Sequence, residues 1–146
     1  MPKIIFPNKL KPGDTIRVIA PSTSASSMKP AIRKQAVKRA KEILGLTATW
    51  SKHSEEKNIF SSSTIQSRVE GLHEAFQNKN IKGVACVRGR YSANTLLPYI
   101  NWELIKKNPK PLWGYSDITV LANAIYAKTG IVAYSAPNFS TFGIKE

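Results

Sequence analysis

The hydrophobic positions of the chain alternate between short apolar runs and stretches with helical spacing. The short runs predict five strands, at 15–21, 46–50, 81–87, 110–114 and 131–137. Apolar residues at helical spacing predict helices over 32–44, 65–76 and 118–129, with two short helical pieces around Pro98 over 93–105. Gly45 and Gly130 are placed to end two of these helices, and the Ser63 to Gln66 spacing predicts a capping box at the start of another. Strands that alternate with helices predict an α/β fold: an open, mostly parallel sheet with helices on both faces.

Length and composition favour one domain without a membrane segment. The 146 residues, 42% of them hydrophobic, are enough for one domain with a substantial core and too few for two ordinary ones. No apolar run approaches the roughly 20 residues that cross a bilayer. The first residues do not form a signal peptide with a cleavage site, so we expect a cytoplasmic protein. The single cysteine, Cys86, lies in an apolar run, which predicts a buried thiol rather than a nucleophile or metal ligand.

The strong positive charge points to an anionic partner without choosing its class. The chain has 22 basic and 9 acidic residues, a net charge of +13, which suits nucleic acid, phosphate, an acidic peptide or a membrane surface. Six of the cations fall on or next to the first predicted helix: Lys29, Arg33, Lys34, Lys38, Arg39 and Lys41. They lack the interleaved aromatic residues of a strand-binding platform, so a solvated helix face is the favoured interpretation and nucleic-acid binding the weaker one.

Candidate chemistry lies where predicted strands end. Ser116 follows the fourth strand and precedes a helix, a turn that can expose a serine hydroxyl beside the first amides of the helix. Gly89 follows the third strand, so its backbone can approach a ligand at the same sheet edge. These features suit acyl transfer with an oxyanion hole. Two structural alternatives remain open: Ser116 or Asp117 simply caps the helix, and Gly89 simply allows a sharp turn.

Four stretches in order, covering nearly the whole chain, carry a family resemblance: LKPGDTIRVIAPS, SSSTIQSRVEGLHEAF, RGRYSANTLLPYI and GYSDITVLANAIYAKTG. The chain resembles the N-terminal domain of the LD-carboxypeptidase family, serine peptidases that include the microcin C self-immunity proteins. The resemblance implies that Ser116 is the nucleophile and that the backbone amides of Asp117 and Gly89 form the oxyanion hole. It implies no metal or organic cofactor.

The resemblance also implies a substrate class and a partner domain. The family hydrolyses an amide bond from an L- to a D-residue in cytoplasmic murein peptides, or the bond that links a peptide or amino acid to a nucleotide-like toxin. Its catalytic glutamate and histidine come from a C-terminal domain, so residues 1–146 correspond to the N-terminal, nucleophile-bearing domain, and we expect this chain alone to be inactive. The resemblance leaves a homodimer open.

Two histidines and two arginines bear on this interpretation. His73 falls on the second predicted helix, where a surface or partly packed role is ordinary. His53 shares a loop with Glu55 and Glu56, so a local base for Ser116 is a minor alternative. Arg90 stands where the family usually has a second glycine, which predicts backbone strain beside Gly89. Arg17 lies within the first strand, where an unpaired charge would be costly.

The sequence therefore predicts half of a serine carboxypeptidase-like hydrolase. A non-catalytic binding module for an acidic peptide or a nucleotide is the alternative. Nucleic-acid binding through the basic surface is a weaker one.

Overall fold

The computed structural model describes residues 3–144 and shows one parallel sheet of five strands. The strand order is β2-β1-β3-β4-β5, and every pairing is parallel. The strands are β1 (Thr15–Ile19), β2 (Thr47–Trp50), β3 (Ile81–Cys86), β4 (Leu112–Gly114) and β5 (Tyr134–Ser135). The helices are α1 (Pro30–Leu44), α2 (Ile65–Gln77), α3 (Trp102–Lys107) and α4 (Ile118–Thr129), with short 3₁₀ helices at Ala25–Ser27, Ala93–Tyr99 and Phe139–Gly143. The predicted α/β fold is confirmed.

The core has two layers, one on each face of the sheet. Successive strand residues point to opposite faces, so Val18 packs with α1 while its neighbour Ile19 packs with α2 and α4. The α2 and α4 layer contains the large side chains Leu72, Phe76 and Leu121, and the α1 layer contains Phe139. Burial on both faces explains why the strands read as nearly continuous apolar runs in the sequence.

Short sequence signals predict some ends of helices and strands correctly and others incorrectly. Gly45 and Gly130 have the left-handed backbone of helix ends, with φ of 68° and 81°. The capping box at Ser63 is wrong, because Thr64 is the N-cap of α2 and its hydroxyl accepts from the amide of Ser67. The predicted strand 131–137 is also too long. Only two of its residues form β5, and Ile131 instead makes an isolated parallel bridge with Ile5.

Arg17 of β1 is not left unpaired at the sheet surface. Its Nε and Nη2 donate to the two carboxylate oxygens of Glu74 on α2 at 2.9 and 2.8 Å. A third nitrogen lies 3.4 Å from the carbonyl oxygen of Trp50. This bidentate ion pair compensates the charge of Arg17 within the strand.

Because the strands are parallel, the loops that follow β1, β3 and β4 lie at the same edge of the sheet. β1 and β3 are neighbours, and β4 lies next to β3. Their carboxyl ends therefore meet at the same edge, where doubly wound sheets bind ligands.

Candidate active site

Ser116 lies on the turn between β4 and α4 in a backbone conformation that is rare for serine. Its φ is 63°, in the left-handed region, and the residue is exposed. Its carbonyl oxygen accepts from the amide of Thr119 in the first turn of α4, at 2.9 Å. A left-handed conformation costs a non-glycine residue about 1–2 kcal/mol, and such strain concentrates at functional sites. The structure thus places Ser116 on the exposed strand-to-helix turn that the sequence predicted, and it adds that the backbone there is strained.

The helix-capping alternative does not fit the geometry. Asp117 is the N-cap residue of α4, but its side chain makes no capping hydrogen bond. The hydroxyl of Ser116 has no hydrogen-bond partner within residues 3–144. Neither side chain therefore caps α4.

Gly89 packs directly against this turn. A Cβ atom built at Gly89 would lie 2.9 Å from the amide nitrogen of Asp117, 3.0 Å from the carbonyl oxygen of Tyr115 and 3.1 Å from Cβ of Ser116. Two of these neighbours are backbone atoms that cannot rotate away, so a side chain has no room. The backbones of Gly89 and Asp117 are therefore in close contact beside Cβ of Ser116.

Arg90 does not show the strain that the sequence predicted for it. Within residues 3–144, the non-glycine residues with positive φ are Ser61 and Ser116, so Arg90 has an ordinary backbone conformation, and its side chain is exposed. Gly89 likewise has no positive φ. The expectation of strain at Arg90 is wrong because this loop needs a residue without a side chain at 89, and needs no left-handed backbone at 90.

The carboxylate of Asp117 joins the three loops that meet at the site. Its Oδ2 accepts from the hydroxyl of Ser22, after β1, at 2.5 Å and from the amide of Ala93, after β3, at 2.9 Å. The hydroxyl of Thr23 adds a contact of 3.2 Å to the carbonyl oxygen of Gly89. Hydrogen bonds to an ionised carboxylate are stronger than neutral ones, so this arrangement fixes the turn that bears Ser116.

A buried arginine supports these loops from α2. Arg68 is 8% exposed, and its Nη1 donates to the carbonyl oxygens of Pro21 and Ser92, each at 3.0 Å. Its Nη2 donates to the hydroxyl of Thr95 at 3.2 Å. Burial lowers the pKa of the Arg68 guanidinium, while the negative charge of Asp117 acts in the opposite direction. Arg68 thereby links the segments that supply the two donors to Asp117.

Sequence reasoning missed Ser22 and Arg68. Ser22 is one of several serines after β1, and nothing in the spacing marks it as a partner of Asp117. Arg68 had a signal, because it falls between Ile65 and Val69 on the helix stripe that predicts burial. A charge on a buried stripe needs several partners, which is what the structure shows.

Neither histidine is positioned as a base for Ser116. Nδ1 of His53 lies 2.5 Å from Oε1 of Glu56, and Nε2 lies 3.2 Å from a carboxylate oxygen of Glu70, without hydrogen-bond alignment. Its loop follows β2, which is three strand spacings from β4, about 14 Å. His73 uses its Nε2 to accept from the amide of Asn101 at 2.9 Å. The minor alternative of a local base at His53 therefore has no support from the geometry.

Several other sequence expectations can be compared with the structure. Cys86 is fully buried, and burial raises the pKa of its thiol. No metal-binding group of three or more His, Cys, Asp or Glu residues occurs between residues 3 and 144. No helix in this range is long and apolar enough to cross a membrane.

Part of the basic face of α1 has structural roles. Arg33 lies 3.9 Å from the ring centre of Trp50, and Arg39 donates to the carbonyl oxygen of Phe142.

Comparisons with known proteins agree with the resemblance seen in the sequence. A family model described as the LD-carboxypeptidase N-terminal domain, of peptidase family S66, matches residues 16–136. YocD of Bacillus subtilis (strain 168), which is named as a carboxypeptidase, is 48% identical over 142 residues that cover 97% of this chain and 43% of YocD. A protein from the same organism, named as a murein peptide carboxypeptidase, is 36% identical over 135 residues that cover 92% of this chain and 41% of that protein.

The fold comparison leads to the same group of proteins. The crystal structure of an MccF-like protein from Bacillus anthracis str. Ames matches with a TM-score of 0.95 and 51% identity, over 97% of this chain and 43% of that one. The chain thus spans less than half the length of these relatives.

Proposed function

The chain belongs to the LD-carboxypeptidase family, and we propose on this premise that Ser116 is the nucleophile of a serine hydrolase that cleaves an amide bond. The observation that carries the proposal is the turn at Ser116, which is left-handed, exposed and packed against the backbone of Gly89. Relatives named as carboxypeptidases support hydrolysis of a peptide bond at a chain end.

The reaction follows from the chemistry of a serine next to two backbone amides. The hydroxyl of Ser116 attacks the carbonyl carbon of the scissile amide and loses its proton to a base. The amides of Asp117 and Gly89 donate to the oxyanion that develops in the tetrahedral intermediate. Collapse expels the amine, which takes up the proton, and leaves an ester on Ser116. Water then hydrolyses this ester and regenerates the hydroxyl.

The base is proposed to come from a C-terminal domain that supplies a glutamate and a histidine. Its docking is supported by large apolar side chains exposed on loops at the same edge of the sheet: Ile59, Phe60, Tyr91 and Tyr115. Ile59 and Tyr91 are 91% and 86% exposed. Apolar groups gathered around a functional edge are typical of a contact surface. Such a domain would also exclude water from Ser116 and strengthen the oxyanion contacts.

Murein LD-peptides are the first candidate substrate, because a 36% identical relative is named as a murein peptide carboxypeptidase. An aminoacyl or peptidyl nucleotide of the microcin C type is the second. The microcin C7 self-immunity protein MccF, 29% identical over 97% of this chain with a TM-score of 0.89, has a structure in complex with aspartyl sulfamoyl adenosine, which supports this second candidate.

Turnover measurements on two forms of the protein test the proposal. The first is the 146-residue chain, and the second is the same chain fused to the C-terminal part of YocD that it does not span. Each is assayed with a murein tetrapeptide and with an aminoacyl sulfamoyl adenylate. We expect turnover only in the fusion, and Ser116→Ala should reduce it at least about a thousandfold.

Two results would contradict the proposal. The first is equal turnover by the fusion and its Ser116→Ala variant. The second is turnover by the chain alone at the ordinary enzymatic scale of about 1–1,000 per second, which would show that the base lies within these residues. If the fusion shows no turnover, intact-mass detection of a fluorophosphonate adduct on Ser116 checks that this serine is still accessible and reactive.

A further inference from the structure

A polar pocket lies at the edge of the sheet opposite Ser116. It has a volume of about 320 Å³ and forms where three strands begin. Asp14 directly precedes β1, Ile81 begins β3 and Pro111 directly precedes β4, and all three residues line it. The carboxyl ends of these strands carry the Ser116 site, so the two sites are separated by the length of the sheet.

Five lysines from three separate segments line this pocket: Lys9, Lys11, Lys79, Lys82 and Lys110. The one acidic residue in its lining, Asp14, accepts from the backbone amide of Lys11 at 2.8 Å. Among residues 3–144, none of these five lysines lies within ion-pair distance of a carboxylate. The pocket therefore holds an excess of positive charge that the protein itself does not neutralise.

Two of the ammonium groups are held in place by backbone carbonyls. Nζ of Lys110 donates to the carbonyl oxygens of Ala75 and Asn78 at 2.9 and 2.6 Å, and Nζ of Lys82 donates to that of Lys79 at 2.9 Å. A cation fixed before a ligand arrives loses little entropy on binding.

The cations are crowded enough to affect one another. Partial burial lowers the pKa of Lys110 to about 8, with Lys82 and Arg17 acting in the same direction and Glu74 opposing them. A bound anion would offset both the desolvation and the repulsion.

We propose that this pocket binds a small anion with several phosphate groups, such as inorganic triphosphate. Lysine ammonium groups are compact point charges that suit phosphate oxygens. The pocket is concave, and none of its lining residues is aromatic, so it offers no stacking surface for the bases of a nucleic-acid strand. Neighbouring phosphates of one ligand can meet lysines from different segments, so affinity should rise from phosphate to diphosphate to triphosphate.

Calorimetric titration of the 146-residue chain with triphosphate at low salt tests the proposal. The double variant Lys79→Gln/Lys82→Gln removes two pocket charges. The control Lys29→Gln/Lys34→Gln removes two exposed charges at and near the start of α1, so both variants have the same net charge. We expect binding about tenfold weaker or more in the pocket variant and less than twofold weaker in the control. Far-UV circular dichroism checks that each variant is folded.

The affinity advantage of the wild type over Lys110→Gln should also shrink as pH rises through about 8, because Lys110 then loses its proton, whereas the ionisation of triphosphate itself affects both proteins alike. The charged groups that act on Lys110 are Lys82, Arg17 and Glu74. The other charged residues in the pocket lining are Asp14, Lys9, Lys11 and Lys79. Equal weakening in both double variants, no measurable heat with triphosphate, or tighter binding of a single-stranded oligonucleotide through the same lysines would each overturn the proposal. Ser116→Ala should bind triphosphate as the wild type does, which keeps this test independent of the hydrolase.

Discussion

The hydroxyl of Ser22 donates a 2.5 Å hydrogen bond to the carboxylate of Asp117, a residue 95 positions further along the chain. The same carboxylate oxygen accepts from the amide of Ala93. The side chain of Asp117 thus accepts hydrogen bonds from neighbouring loops and not from its own helix. Its backbone amide lies on the turn next to Ser116. Asp117 stands at the N-cap position of α4, but its side chain holds neighbouring loops together beside the candidate oxyanion site.

Removing the hydroxyl of Ser22 should destabilise the contact between the loop after β1 and Asp117. Ser22 is 1% exposed and its partner is charged, so Ser22→Ala should lower the free energy of unfolding by about 1.5–3 kcal/mol. Urea denaturation measures this change. Amide chemical shifts of Ala93 and Asp117 in ¹⁵N-labelled protein should move as well.

Ser27→Ala is the matched control for Ser22→Ala. The hydroxyl of Ser27 donates only to the nearby carbonyl of Ser24, and the residue is exposed. We expect a loss below about 0.5 kcal/mol there. Equal losses in the two variants would show that the Ser22 contact to Asp117 contributes nothing special.

The left-handed backbone of Ser116 should be measurable as a cost in stability. Ser116→Ala and Ser116→Gly both remove the hydroxyl, but only glycine adopts a φ of 63° without strain. We expect the glycine variant to be more stable than the alanine variant by about 0.5–1 kcal/mol, after allowance for the greater unfolded-state entropy of glycine. Thermal unfolding of the pair decides this. A more stable alanine variant would mean that the turn is not strained in solution.

A single methyl group at Gly89 should disturb the site. The Cβ of Gly89→Ala would lie 2.9 Å from the amide nitrogen of Asp117, so backbone must shift, at a cost of about 1–3 kcal/mol. In the YocD fusion, kcat should fall further than KM rises, because the oxyanion exists only after attack by Ser116. Arg90→Ala is the control in the same loop. Its ordinary backbone and exposed side chain predict a change below about 0.5 kcal/mol, and a comparable effect of both variants would argue against close packing at Gly89.

The two histidines should affect stability with opposite dependence on pH. A hydrogen bond to Glu56 is the main cause that raises the pKa of His53, with Glu70 acting in the same direction and burial opposing both. A raised pKa contributes stability that is fully present below the ordinary histidine value of about 6.5 and is lost as pH rises through the folded-state pKa. The difference in unfolding free energy between wild type and His53→Gln should therefore be largest near pH 5.5 and shrink toward pH 8.5.

His73 provides the comparison for this pH dependence. Burial lowers its pKa, so its contribution is present above about 6.5 and is lost as pH falls through the folded-state pKa. The difference between wild type and His73→Gln should accordingly shrink toward acid pH. Urea denaturation across pH 5–9 measures both variants, and the same pH trend for the two would contradict the assigned environments.

The sequence by itself determined the order of the elements and the place of the candidate nucleophile. Apolar runs with helical stretches between them require a sheet covered on both faces, and glycine at Gly45 and Gly130 ends helices because only glycine adopts left-handed backbone freely. The same local logic placed Ser116 on a turn after a strand. It failed for the strand predicted at 131–137, because pairing at a sheet edge depends on neighbouring segments such as the one containing Ile5.

Only the tertiary structure decided which distant groups meet. The contact between Ser22 and Asp117 joins loops after β1 and β4, and Arg68 reaches both the β1 loop and the segment after β3. The lysine pocket likewise draws on residues near 9, 80 and 110. Hydrogen bonds and charge interactions depend on distances of a few ångströms, whereas periodicity along a sequence reports only which face of its own element a residue occupies.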